Sequence, residues 1–441
     1  MKINKKKKKG YTLIFVLLLA ALLVSMSSVV SYYTISSSKT VRSDFQNSSQ
    51  AKNIAEAGLQ EAAFWFERNP NIVQPSTELA PAKWHLGFNP IEGSSLENRG
   101  DTDDQSKGIV RDIEIDAKNN LYGHFEVLKY DKTKSDEWNN KKAVMDISDQ
   151  KRMNYDTGSN TNLEGGQARY WRIVSESWLY KRPADKRAID SKGVFVVPFD
   201  QLEIFGSYKL SQNILKMRYN GPDAAIVMSD CAKFNNFVGG LIIASSTSSD
   251  YPVMCASGIV PAGISTSTDI RYFGGGVGVR TGNATSPIST YNVFNISVQE
   301  MKGISNNKSN TIEGLKRSPD GRFGTSEILF LDSTTGSNLV FDETHPLKGG
   351  GILYVNNANL KLSAGSGALF NGIIYMKGGN LTIESLNSIT GTILMEGGTL
   401  SIAGTSEKAD IGFNKGVMTN IISNLSKYKE DSLSYKALPV K

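Results

Sequence analysis

The side chains that could do chemistry are few and widely separated. The three histidines, His85, His124 and His345, have neither a second histidine nor a cysteine at ligand spacing, so a histidine-based metal site or a catalytic triad is not expected. Cys231 and Cys255 show no CxxC pattern. They form one disulfide if the domain is exported and stay two small apolar residues if it is not. Asp101, Asp103 and Asp104 lack the Asp-x-Asp-x-Asp-Gly spacing and closing glutamate of a calcium loop, which leaves a solvated acidic loop. The triplet Arg99-Gly100-Asp101 spells an adhesion tripeptide, but so short a match carries no weight. These residues offer no catalytic group, no metal site and no cofactor site. The expectation is a structural or binding protein.

Such a protein acts through surfaces, and the charge distribution is the first guide to where they lie. At 441 residues, the chain is long enough for two or three structural units. Six of its 49 Lys and Arg are Lys2 and Lys5 through Lys9, which leaves 43 against 43 Asp and Glu. The body is therefore neutral, and no nucleic-acid partner is expected. From Tyr11 to Ile35 there is no charged residue. A run of about 20 apolar residues crosses a bilayer as a helix, and the lysines ahead of it keep the N-terminus in the cytoplasm while the body is exported. A cleavable secretory signal is the alternative, with "LVSMSSVVS" supplying small residues for the cut.

The pattern continues past the apolar run. In "AKNIAEAGLQEAAFWFE", Ala51 to Glu67, the residues Ala51, Ile54, Ala55, Gly58, Leu59, Ala62, Trp65 and Phe66 fall in one arc of about 140° at helical spacing. Lys52, Asn53, Glu56, Gln60 and Glu67 occupy the opposite side, and Phe64 is the main exception. Asn69-Pro70 ends the helix. No proline interrupts residues 11 to 68, so a continuous helix there would be about 85 Å long.

Two motifs in this stretch carry a family resemblance. "KKKKKG" followed by "YTLIF" resembles a prepilin processing site, and "NIAEAGLQEA", Asn53 to Ala62, resembles the signature of PilX-type pilus assembly proteins, which are type IV minor pilins. The resemblance covers about 60 residues. It implies cleavage between Gly10 and Tyr11 by prepilin peptidase, N-methylation of Tyr11, and retention of the apolar helix as anchor and assembly element. Thr12, Phe15, Glu56, Gly58 and Leu59 are the assembly-helix positions it marks. Phe15 departs from the family, whose fifth mature residue is usually a glutamate that pairs with a neighbour's α-amino group. That substitution implies a tip or initiating subunit, or one that enters fibres poorly.

Residues 69–219 alternate polar loops with strand-like runs such as "HFEVLKY" and "YWRIVSESWLY", which predicts a mixed α+β unit packed on the outer half of the helix. The next signal is a repeat. "GILYVNNANLKL" (Gly351 to Leu362), "GIIYMKGGNLTI" (Gly372 to Ile383) and "GTILMEGGTLSI" (Gly391 to Ile402) share a glycine and, nine residues on, a leucine. With a worn copy at Ile328 to Phe341, the leucines Leu339, Leu360, Leu381 and Leu400 are spaced by 21, 21 and 19. A period near 20 predicts a parallel β-solenoid, with Leu381 and Ile383 inward and Thr382 outward. An ordinary β-sandwich is the alternative, and it leaves the fixed register unexplained.

The predicted fold is thus α+β. It comprises a basic leader (1–10), a transmembrane then amphipathic helix (11–68), the mixed middle (69–219), a solenoid (220–425) with an insertion near 265–325 and a helical cap, and a loose tail (426–441). Lys377 and Glu396 share a register and should form a surface ion pair worth under about 1 kcal/mol. Carbohydrate-active β-helices need clustered acids on successive coils. These repeats have no recurring carboxylate pair. The expected protein is a pilin-like structural component, anchored once in the cytoplasmic membrane with its body outside. Its expected partners are other pilins, prepilin peptidase and the membrane assembly platform. The rival is a membrane-anchored β-helix protein acting as a glycan-binding protein or carbohydrate-active enzyme.

Overall fold

The computed structural model describes residues 25–26, 42–68, 108–128, 134–147, 170–181, 203–244, 251–265, 267–272, 276–277, 288–325, 327–404, 407–425 and 427–439. The processing and assembly positions Gly10, Tyr11, Thr12 and Phe15 lie outside them, as do His85 and the loop of Arg99, Gly100, Asp101, Asp103 and Asp104. Among the described residues, no helix is long and apolar enough to cross a membrane. The uncharged run falls almost wholly outside that set.

Helix α1 (residues 42–68) lies on an antiparallel sheet. The sheet is built from β1 (Gly108–Asp116), β2 (Leu121–Leu128), β3 (Met145–Asp146), β4 (Tyr170–Lys181) and β5 (Glu203–Lys216). Its order is β1-β2-β4-β5, with the short β3 pairing β4 and helix α2 (Asp136–Lys142) beside β4. The segment expected to be a loose tail is instead its last member. Tyr428–Ala437 pairs antiparallel with β5 along the free edge. The physical reason is coverage: an open β5 edge would leave a row of backbone donors and acceptors unpaired.

The repeats form two further sheets, joined to strands from earlier in the chain. These strands are β6 (Ala224–Asp230), β7 (Phe234–Val238), β8 (Gly240–Ala244), β9 (Tyr251–Ser257), β10 (Ile270–Tyr272), β11 (Gly276–Val277) and β12 (Asn307–Ser309). The repeats contribute β13 (Ile328–Asp332), β14 (Asn338–Phe341), β15 (Lys348–Asn356), β16 (Asn359–Leu362), β17 (Leu369–Lys377), β18 (Leu381–Glu384), β19 (Ser388–Met395), β20 (Leu400–Ala403) and β21 (Ala409–Phe413). Successive repeats pair in parallel, and the predicted columns are in register. Leu339, Leu360, Leu381 and Leu400 sit side by side, as do Gly351, Gly372 and Gly391. Leu381 and Ile383 are buried and Thr382 is not, so the smaller sheet, β14-β16-β18-β20-β7, has one wet face. Asn357, Gly378, Gly379 and Gly398 take the positive φ that the corners need. Asn380 and Asn359 continue the corners as a ladder: Asn359 Nδ2 donates to Asn338 Oδ1, and Asn380 N donates to Asn359 Oδ1.

Three features differ from the sequence reading. The strands near residue 220 do not precede the first repeat. They continue the stack beyond the last one, since β6 pairs β19, β8 pairs β21, and Phe234 of β7 extends the leucine column past Leu400. The expected insertion near 265–325 is part of the body. It supplies β10, β11 and β12, and its helices α3 (Thr290–Phe294) and α4 (Val298–Ile304) reach both sheet systems. The C-terminal helix, labelled α5 (Lys415–Leu425), crosses β15, β17 and β19 on their face and does not close an end. The face needs it. β15, β17 and β19 carry runs of buried residues on both sides, whereas the smaller sheet alternates. A sheet that is apolar on both faces must be covered on both.

Candidate functional site

The residues singled out in sequence as the assembly signature fall on the seam between α1 and the antiparallel sheet. Ala51, Ile54, Ala55, Leu59, Ala62 and Phe66 are buried there, and Lys52, Asn53, Gln60 and Glu67 are not. The helix comes very close at Gly58, where a Cβ would strike Ser175 Oγ and lie 2.7 Å from Phe125 Cδ2. Glycine is the residue that allows this approach, although it weakens a helix by roughly 1 kcal/mol relative to alanine. Leu59 beside it is 2% exposed. Phe64 is half exposed, as its place outside the apolar arc requires, and the Arg68 guanidinium lies 4.0 Å above its ring.

Polar contacts fix the helix along its length. Ser177 Oγ donates to Ala51 O at 2.6 Å, and Arg111 pairs with Glu61 at 2.6 Å. Glu56 faces Lys52 at 3.6 Å and accepts from the Tyr435 hydroxyl at 2.6 Å. The Tyr435 phenol is raised well above its ordinary pKa, first by desolvation and then by the adjoining Glu56 carboxylate. At the far end Phe66 packs on Trp171 and Tyr428, and Trp171 Nε1 donates to the Tyr428 hydroxyl. The sequence reading missed Tyr428 and Tyr435 because it assigned no structure to the last residues. The aromatic residues of "YKEDSLSYKA" were the available signal.

A cleft of about 770 Å³ opens where the end of α1 meets the end of α4, β12 and the final strand; Phe64, Glu67, Lys308, Lys427, Tyr428 and Lys429 are among its walls. Lys308 Nζ donates to Ser432 Oγ at 2.7 Å and to Gly303 O at 3.4 Å, so this ammonium serves the carbonyl end of α4. Burial lowers the pKa of Lys308 against the opposing pull of Asp431, and burial lowers that of Lys429 against Glu67. The cleft is a seam of mixed polar and apolar lining between two units. Tyr170 bridges them too, donating to Asn295 O and to Glu300.

Cys231 and Cys255 are joined as a disulfide, with Cα atoms 5.5 Å apart, which lies within the range a disulfide spans. His124 and His345 are far from any second histidine in sequence. His124 Nε2 lies 3.0 Å from Glu126 in the sheet, and His345 Nδ1 lies 3.8 Å from Asp342 in a turn. Through Glu126, His124 adjoins a buried row that sequence reasoning missed. Glu126 stands opposite Glu176, and Glu176 stands opposite Lys209, whose ammonium is 3.2 Å from the Glu176 carboxylate. The alternation in "HFEV" was its signal. Among the described residues, no group of three or more His, Cys, Asp and Glu could hold a metal ion.

The expected Lys377–Glu396 ion pair is not formed among the described residues. Glu396 instead accepts from the Tyr375 hydroxyl at 2.6 Å. The phenol belongs to a buried ring stack, Phe330–Tyr354–Tyr375, and its hydroxyl needs an acceptor more than a half-buried lysine does.

No family model matches the chain. No curated protein matches it either. Among solved structures, the competence-associated pilin ComZ from Thermus thermophilus is similar at 12% identity over 89% of this chain and 98% of that one, with a TM-score of 0.18. A likeness at that score carries no argument about fold or function.

Proposed function

We propose that this chain is a pilin-like structural subunit of the PilX type, exported and held in the cytoplasmic membrane by residues 11–35. The observation that carries the reading is the seat of α1. The helix that follows an uncharged run in sequence buries Ala55, Gly58 and Leu59 of its Ala-Glu-Ala-Gly-Leu signature on an antiparallel sheet, and it keeps Lys52, Asn53, Gln60 and Glu67 on the other side. In this reading the leader is cut between Gly10 and Tyr11, Tyr11 is methylated, and the apolar helix packs with other pilins. Phe15, in place of the usual glutamate, suits a minor subunit at the tip or at initiation. The repeats are a β-solenoid whose wet face is displayed for adhesion or protein contact. The role is non-enzymatic and needs no cofactor.

The test is crosslinking in intact cells with a photoreactive residue at Thr12 or Phe15. Adducts to other pilins are the expected result. Adducts only to lipid, with no pilin neighbour, would reject assembly and leave a simple anchor.

A further inference from the structure

We propose that the end of the antiparallel sheet beside the start of α1 rests on the surface of a lipid bilayer. The inference rests on the reading of residues 11–35 as a membrane anchor and adds a second contact to it. Five of the large apolar side chains left exposed gather at this end: Phe45 at 76%, Ile113 at 37%, Ile115 at 38%, Ile204 at 37% and Phe205 at 38%. The register shows that they share one end. Ile204, Tyr180, Tyr122 and Glu114 form a row across the sheet, one position short of its edge row of Glu203, Lys181 and Leu121. Asn47 of α1 lies directly against Gly206 of β5, which places Phe45 beside the same row. On the parallel sheets, exposed apolar residues such as Val340, Leu369 and Ile259 occur in separate strands and loops.

An exposed apolar cluster marks a contact surface, and its place in the chain names the partner. Phe45 follows Ile35, the last apolar residue of the uncharged run, by ten positions. Ten residues reach about 15 Å as a helix and about 35 Å when extended, so an anchored chain cannot carry this rim far from the headgroups. Charges around the rim are mixed, with Arg42, Lys118 and Lys181 against Asp44, Asp116 and Glu203. Apolar insertion at the interface therefore drives the contact, and anionic lipid is not required.

The test places benzoylphenylalanine at Phe45, Phe205 or Val340 of the full-length protein in phosphatidylcholine vesicles. Lipid adducts at positions 45 and 205 are expected at about ten times the yield at 340. Equal yields at the three positions in protein that stays vesicle-bound after carbonate washing would overturn the surface contact and leave the anchor intact. Protein–protein adducts at 45 or 205 would assign the patch to a second copy and also overturn it. Protein that never becomes vesicle-bound would overturn the anchor reading and this inference together.

Discussion

The Tyr435 hydroxyl donates to the Glu56 carboxylate at 2.6 Å across 379 residues of chain, tying the signature helix to the final strand. The bond is charge-assisted and partly wet, which sets its worth at about 1 kcal/mol. Tyr435→Phe and Glu56→Gln should each lower stability by about that amount, and the double variant should lose less than the sum of the two. Denaturant titration of the four proteins measures the coupling.

Gly58 should tolerate no side chain. Alanine would gain about 1 kcal/mol of helix propensity, but the collision with Ser175 and Phe125 should outweigh it, for a net loss of about 1–3 kcal/mol. The Ser175 hydroxyl is buried with no hydrogen-bond partner among the described residues, so Ser175→Ala should recover part of the loss in the double variant. Thermal melts of both proteins check this. An unchanged Gly58→Ala melt would contradict the close seat of α1.

The glycine column of the repeats makes a parallel claim. Gly391 has φ of +147° and faces Gly372 O so closely that a Cβ could not enter. Gly391→Ala should cost about 2–4 kcal/mol, while Thr382→Ala on the wet face should stay within about 0.5 kcal/mol.

The disulfide closes a segment whose ends are 24 residues apart. Loop-closure entropy puts its contribution at about 3 kcal/mol. Comparing the denaturation midpoint with and without reductant gives the value, and Cys231→Ser should match the reduced protein.

Burial raises the phenol pKa of Tyr219, Tyr354 and Tyr375. The folded state holds these phenols neutral, so their contribution is complete below the unfolded value of about 10 and is lost as pH rises beyond it. The tyrosine contribution should be level up to about pH 10 and then fall, and Tyr375→Phe should make the fall in stability above about pH 10 shallower.

The contrast between legible and illegible features follows the range of the interactions. Helix periodicity is local, so the buried set Ala51 to Phe66 was readable, including Phe64 as its exception. The repeat register was readable because each coil meets a near copy of itself, which made the Leu339–Leu360–Leu381–Leu400 column a matter of counting. That column's continuation into Phe234 was not, because β7 comes earlier in the chain and shares little of the repeat pattern. The final strand was missed for a related reason. Tyr428 and Tyr435 acquire their partners, Trp171 and Glu56, only in three dimensions. Glu396 shows the same limit: its register predicted Lys377, yet a buried hydroxyl on the same neighbouring strand had the stronger need.

Intact-mass measurement of the membrane-extracted protein tests the central claim most directly. The mass expected is that of residues 11–441 plus one methyl group. A mass that retains the first ten residues, or one that begins near Ser28 after removal of the apolar run, would contradict the account.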